Sequence, residues 1–183
     1  MTDRPLLLLD VDGPLNPFAA RLPRLRGYTT HRLRPQVWLS RQVPGTRRHR
    51  RGLRVHLNAS HGSRLTGLPF ELAWATAWMH EANSMIAPEV GLPIDLPVIE
   101  WPELLAVPGP DQADSSGLCW KTRPVLEWAA GRPFAWVDDM VTDRDAAHVA
   151  EHHDAPALLL RIHPGKGLRE QDFTRLRAWA TSL

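Results

Sequence analysis

Asp10 and Asp12 follow four leucines in the string LLLLDVDGPLNP, residues 6–17. Two carboxylates at this spacing on an extended chain point the same way, roughly 6–7 Å apart at about 3.3 Å per residue. The first can act as a nucleophile, and the second can protonate a leaving group and later activate water. Three further groups could join them. Thr76 ends the apolar run ELAWA, Lys121 opens a helical stretch, and Asp138-Asp139 ends PFAWV. Phosphoryl transfer requires a nucleophile, an acid–base group, donors to the phosphate oxygens and a metal to screen charge. Thr76 can donate its hydroxyl to a phosphate oxygen, and Lys121 can neutralise the nucleophile and the developing charge. Mg²⁺, which takes oxygen ligands and keeps several waters, could be held by Asp10, the backbone carbonyl of Asp12, and Asp139 or Asp138. A solvated turn with two incidental acids is the bland alternative for Asp10 and Asp12.

The elements that must position these groups follow from the apolar pattern. LLLL reads as a strand buried on both faces; ELAWA (71–75) reads as a second buried strand, and LPVIEW (96–101), PFAWV (133–137) and ALLLRI (157–162) as further strands. Helices are expected over 78–86, stopped by Pro88 and Gly91, and over 119–131, with Pro124 in the first turn and Gly131 as the stop. Two more are expected near 142–153 and 169–179, and residues 60–68 read as helix or loop. A loop rich in Pro, Gly, Asp and Ser covers 108–117. Alternating strands and helices predict a three-layer α/β fold with a mostly parallel sheet. In such a sheet the strand C-termini share one edge, so Asp10, Asp12, Thr76, Asp138 and Asp139 converge there.

The four segments DVDGPLN, a strand ending in Thr, a Lys at a helix start, and WVDDM occur in the order of the motifs of the haloacid dehalogenase (HAD) superfamily, which the chain resembles over nearly its whole length. The resemblance implies a Rossmannoid core and a Mg²⁺-dependent phosphomonoester hydrolase working through an aspartyl-phosphate. Asp10, Asp12, Thr76 and Lys121 would be catalytic, and Asp10, Asp12, Asp138 and Asp139 would surround the metal. An acid two residues after the nucleophile is typical of phosphatases and absent from dehalogenases. The paired acids of WVDDM look like the branch that contains polynucleotide 3′-phosphatases and small RNA-repair HAD domains. There the second acid is often the ligand, which favours Asp139.

Rival motifs fail. As a calcium loop, DVDGPLNP places its glycine too early and has Pro14 and Arg21 where ligands are needed. GKG at 165–167 lacks the third glycine of a dinucleotide site. His148, His152 and His153 have helical spacing but no further ligands, and read as a solvated face. Cys119 has no evident activating partner, and no G-x-S-x-G elbow exists. Thr76, Lys121 and the acid pair also have dull readings as a strand threonine, a surface lysine and a helix cap. Against the second, the chain contains two lysines among 22 basic residues, which gives weight to one at this spot.

The chain has 183 residues and a net charge of +2, so a single domain over 1–183 is expected. No secretory leader or membrane-length apolar run is visible, and one cysteine suits a reducing compartment, so a cytoplasmic protein without membrane or obligate protein partner is expected. Charge is unevenly spread: residues 13–70 carry twelve arginines and no acid, against ten basic and twenty acidic residues elsewhere. Within this segment GYTTHRLRPQVWL and GLRVHLN read as two strands joined by RQVPGTRRHRRG, a β-hairpin with a basic tip. It would form a small cap-like insertion at about 21–68 in place of a large cap, leaving an open site. Arg47, Arg48, Arg50 and Arg51, with Arg54, His49 and Trp38, could track a phosphate backbone, so nucleotide or polynucleotide ends are candidate substrates. The competing readings are an arginine-rich loop that screens the acidic body, and a nucleic-acid-binding or regulatory module with little turnover. Trp74, Trp78 and Trp120 could stack on a base, although core roles are commoner for tryptophans beside strands.

Overall fold

The computed structural model describes residues 4–21, 26–101 and 116–183. Most of the loop expected at 108–117 and the start of the insertion at 22–25 lie outside them. The core is a four-stranded parallel sheet in the order β4-β1-β5-β6, formed by β1 (Leu6–Leu9), β4 (Glu71–Trp74), β5 (Phe134–Asp138) and β6 (Ala157–Arg161). β1 is central, pairing Leu7 with Leu72 on one side and Ala135 on the other. All four of its leucines are fully buried, as a strand covered on both faces requires.

Strand alternation sends Leu7, Leu9, Trp74, Ala135 and Val137 to one core. There they meet α3 (Ser60–Thr66), a π-helical turn at Ala82–Ile86, α4 (Ala87–Val90) and α7 (Glu170–Thr181). Leu6, Leu8, Ala73, Phe134 and Trp136 face the other core, closed by α5 (Thr122–Ala129) and α6 (Asp143–His152). The result is a mixed α/β fold with a parallel sheet flanked by helices on both faces, as the alternating pattern predicts. Among the described residues, no helix is long and apolar enough to cross a membrane.

The basic segment forms an antiparallel pair, β2 (Thr29–Leu33) with β3 (Leu53–Leu57). Its connection is not a plain tip. Residues expected to extend the first strand instead make the short helix α1 (Gln36–Leu39), and α2 (Arg47–Arg51) precedes β3. Pro35 explains the change: it lacks a ladder donor but suits the start of a helix. There its carbonyl accepts from the amides of Trp38 and Leu39, while the Gln36 amide donates to Glu81 Oε1 at 2.8 Å.

Two more elements differ from expectation. The helix after β4 does not stop at Pro88, because the π-helical turn ends at Ile86 and Pro88 falls in the first turn of α4, where no amide donor is needed. Gly91, at φ 79°, ends it. LPVIEW is not a strand but a single bridge between Trp74 and Val98. Pro97 accepts from the Trp74 amide but has no N–H to return, so the ladder does not extend.

Candidate active site

β1 delivers Asp10 to the sheet edge one residue after its last paired leucine, where the Asp10 amide still donates to the Val137 carbonyl at 3.0 Å. The chain then turns tightly at Gly13, whose φ of 92° favours glycine. A Cβ there would lie 2.6 Å from Cβ and Cγ of Asp139. Gly13 therefore lets the loop carrying Asp12 lie directly against the loop after β5.

The groups read from the sequence meet at this edge. Lys121, 1% exposed, places Nζ 3.0 Å from Asp10 Oδ2 and 2.7 Å from Asp138 Oδ2. Asp10 Oδ1 accepts from the Val11 amide at 2.8 Å, and the buried Thr76 hydroxyl lies near enough to favour the charged Asp10 carboxylate. Asp10, Asp138 and Asp139 each bring a carboxylate oxygen within 4.8 Å of the others. Asp138 is fully buried and takes a further bond from the Met140 amide at 2.8 Å. Asp12 and Asp139 are the two partly exposed acids.

Electrostatics follow from four acids around one ammonium. Burial raises the pKa of Asp10; Lys121 and Thr76 oppose this and Asp12 adds to it. Asp138 is pushed up to about 6 by burial, with Lys121 pulling down and Asp10 pushing up. Burial, Asp10 and Asp138 push Asp139 up to about 7. Burial raises Asp12 as well, opposed by hydrogen bonds from Asn16 and Trp78. Burial alone would discharge Lys121, but Asp10 and Asp138 outweigh it and hold it charged. The excess of negative charge on an all-oxygen donor set suits a hard divalent cation such as Mg²⁺. Asp10 and Asp139, with Asp138 behind them, are the side chains that would hold it.

A buried carboxylate absent from the sequence-based candidates aligns this assembly. Asp145 Oδ1 accepts from the Cys119 amide at 2.8 Å and the Thr122 hydroxyl at 2.6 Å. Its Oδ2 takes the Thr142 amide and hydroxyl at 2.8 and 2.6 Å. It thus ties the start of the Lys121 helix to the loop after Asp138-Asp139. The T-x-x-D capping pattern at 142–145 was its available sequence signal. Asn16 and Trp78 were missed as partners of Asp12: Asn16 Nδ2 donates to Asp12 Oδ1 at 2.7 Å and Trp78 Nε1 to Asp12 Oδ2 at 2.9 Å. Of the other tryptophans near the motifs, Trp74 is fully buried with Nε1 on Asn83 Oδ1. Trp120 packs edge-on against Trp101 at 5.1 Å. Cys119 is buried, its thiol pushed up to about 12 by burial. His148 and His152 stack on each other at 4.0 Å, whereas His153 turns away to pack on Phe134.

The inserted ribbon is two-faced. Leu33, Leu53, Val55 and Leu57 pack on the core, while Arg32 and Arg54 stand exposed and directly opposite one another on the other face. Like charges in that register are unfavourable without an anion between them. At the inner end, the His56 amide donates to Asn16 Oδ1 at 2.9 Å. At the outer end, Arg47, Arg48, Arg50 and Arg51 are exposed on α2, with Arg48 over the Trp38 ring at 5.8 Å and Arg50 bound to the Gly45 carbonyl. The ribbon touches the loops after both β1 and β4, through Asn16 and Glu81. It therefore reaches the edge that carries the carboxylates, with the α2 arginines at its outer end.

Comparisons with protein-family models, curated proteins and solved structures find no match to this chain.

Proposed function

We propose that this chain is a Mg²⁺-dependent phosphomonoester hydrolase that works through an aspartyl-phosphate on Asp10, in keeping with the HAD phosphatases it resembles. The observation that carries this reading is the Lys121 ammonium held between Asp10 and Asp138, at the edge where Asp12, Thr76 and Asp139 also lie. Asp10 attacks phosphorus while the ester P–O bond breaks, and Asp12 gives its proton to the departing oxygen. Asp12 then takes a proton from the water that releases phosphate and restores Asp10. Thr76 and Lys121 orient the nucleophile and meet charge on the phosphoryl oxygens. Bound Mg²⁺ would supply charge screening of the phosphoryl group.

Phosphorylated nucleotide or polynucleotide ends are the substrates favoured by the exposed arginines of the ribbon. The test is a panel of aryl, alkyl, and 3′- and 5′-phosphorylated oligonucleotide esters, with and without Mg²⁺. Hydrolysis by the wild type, loss in Asp10→Asn with the fold retained, and phosphorylated Asp10 trapped by acid quench are expected. Inactivity toward every ester with Mg²⁺ present would reject the reading. The same ribbon favours one alternative, a nucleic-acid-binding or regulatory module. This predicts salt-dependent oligonucleotide binding, lost on neutralising Arg47, Arg48, Arg50 and Arg51, without turnover.

A further inference from the structure

We propose that Asn16 and Trp78 are positioning residues that lock the Asp12 carboxyl for proton transfer, and that the inserted ribbon sets the polarity of Asn16. This rests on the reading of Asp12 as the proton donor to the leaving group.

The terminal torsion of an aspartate is broad, so its own backbone does not fix the carboxyl plane. Here each oxygen has one outside donor: Asn16 Nδ2 at 2.7 Å on Oδ1 and Trp78 Nε1 at 2.9 Å on Oδ2. The donors come from different segments and both are buried, Asn16 at 2% and Trp78 at 4% exposure. Rotation of the carboxyl would break both bonds. One lone pair on each oxygen remains for the proton in transit.

Asn16 is itself held. Its amide donates to the Val11 carbonyl at 2.8 Å, and its carbonyl accepts from Gly13 at 2.9 Å. Its side chain could present either end to Asp12, but the His56 amide can only donate and faces Oδ1 at 2.9 Å. The Nδ2 end is therefore turned to the carboxylate, which as an anion only accepts. The His56 ring bonds in turn to the Thr30 hydroxyl at 2.9 Å across the ribbon. Strand β3 thus reaches the acid–base group through a single side chain.

When the P–O bond breaks, its electron pair goes to the leaving oxygen, which takes the proton from Asp12. The carboxylate formed is received by two donors already in place. The leaving group that most needs this proton is an alkoxide, and the one that needs it least is a nitrophenolate.

The experiment measures kcat/KM for a series running from p-nitrophenyl phosphate to glycerol phosphate, in wild type, Trp78→Phe and Asn16→Leu. Phe keeps most of the ring and loses the donor; Leu matches the shape of Asn and loses both the donor to Asp12 and the acceptor for His56. With general acid catalysis worth about 10²–10⁴, loss of one donor is expected to lower the glycerol phosphate value about tenfold or more. The nitrophenyl value should stay within about threefold. Equal losses across the series, or none, would overturn the inference while leaving the phosphatase reading intact. A wild type that turns over no ester overturns both. If Trp78→Phe does not fold, Asn16→Leu decides. Independently of turnover, the Trp78 indole N–H resonance, assigned by its disappearance in Trp78→Phe, should move upfield in Asp12→Ala, and an unmoved signal counts against the contact.

Discussion

Replacing Lys121 by methionine tests the electrostatic centre of the molecule. Methionine matches the length and apolar stem of lysine but removes the ammonium that, among the described residues, alone bridges Asp10 and Asp138. At an effective dielectric of about 20, Coulomb's law gives about 6 kcal/mol for each contact, at 3.0 and 2.7 Å. Sparing the ammonium its desolvation returns much of this, so breaking such a buried arrangement costs about 3–5 kcal/mol. The sign of the pH dependence follows from the acids. Lys121 lowers the pKa values of both Asp10 and Asp138, so without it they hold protons up to higher pH. The deficit should be full at pH 8, where two buried carboxylates lack a partner, and shrink toward pH 5 as they are neutralised. Urea unfolding of both proteins at the two pH values, compared at equal m-value, reads this directly. A variant within about 1 kcal/mol of wild type at pH 8, or a deficit that grows on acidification, would refute the placement of Lys121 between the acids.

Gly13→Ala is expected to cost about 2 kcal/mol or more, since positive φ alone costs a side-chain-bearing residue about 1–2 kcal/mol and the new Cβ meets Asp139 at 2.6 Å. Thermal unfolding and ester hydrolysis should fall together, and a stable, active variant would contradict the close approach of the two loops. In the absence of divalent cation, Asp138 and Asp139, held near 6 and 7 against an ordinary value of 3.8, bind protons in the folded state that the unfolded chain has released. Stability should therefore fall as pH rises from about 4 to 7. Mg²⁺, which binds the ionised acids, should raise Tm more at pH 8 than at pH 5; a Tm indifferent to Mg²⁺ at both would remove this cluster as a cation site.

What the sequence revealed depended on whether a signal was local. The strand Leu6–Leu9 is legible because burial on both faces leaves an uninterrupted apolar run. Lys121 is legible because a rare residue type stands at a helix start. By contrast, Asn16 and Trp78 lie 4 and 66 residues from Asp12 in sequence, and only the fold brings them together. α1 was hidden because QVWL has strand-like composition and its helical start depends on Pro35 and on Glu81, 45 residues away. Asp145 shows an intermediate case: its helix cap is visible as a local pattern, whereas its grip on Cys119 and Thr122 is a tertiary fact. No local pattern contains it.

The central position of β1 has a consequence for synthesis on the ribosome. Its leucines emerge first, yet one neighbour, β4, comes about 65 residues later and the other, β5, only at Phe134–Asp138. At about 5–20 residues per second, the growing chain carries an unpaired all-leucine edge for several seconds after β4 is available. Such edges recruit other strands. The arginine-only stretch, residues 13–70, has already been made by then and gives the nascent chain a positive charge, and like-charged chains repel. Charge that flanks the site in the finished protein thus also protects the strand that carries Asp10 while it waits for its second partner.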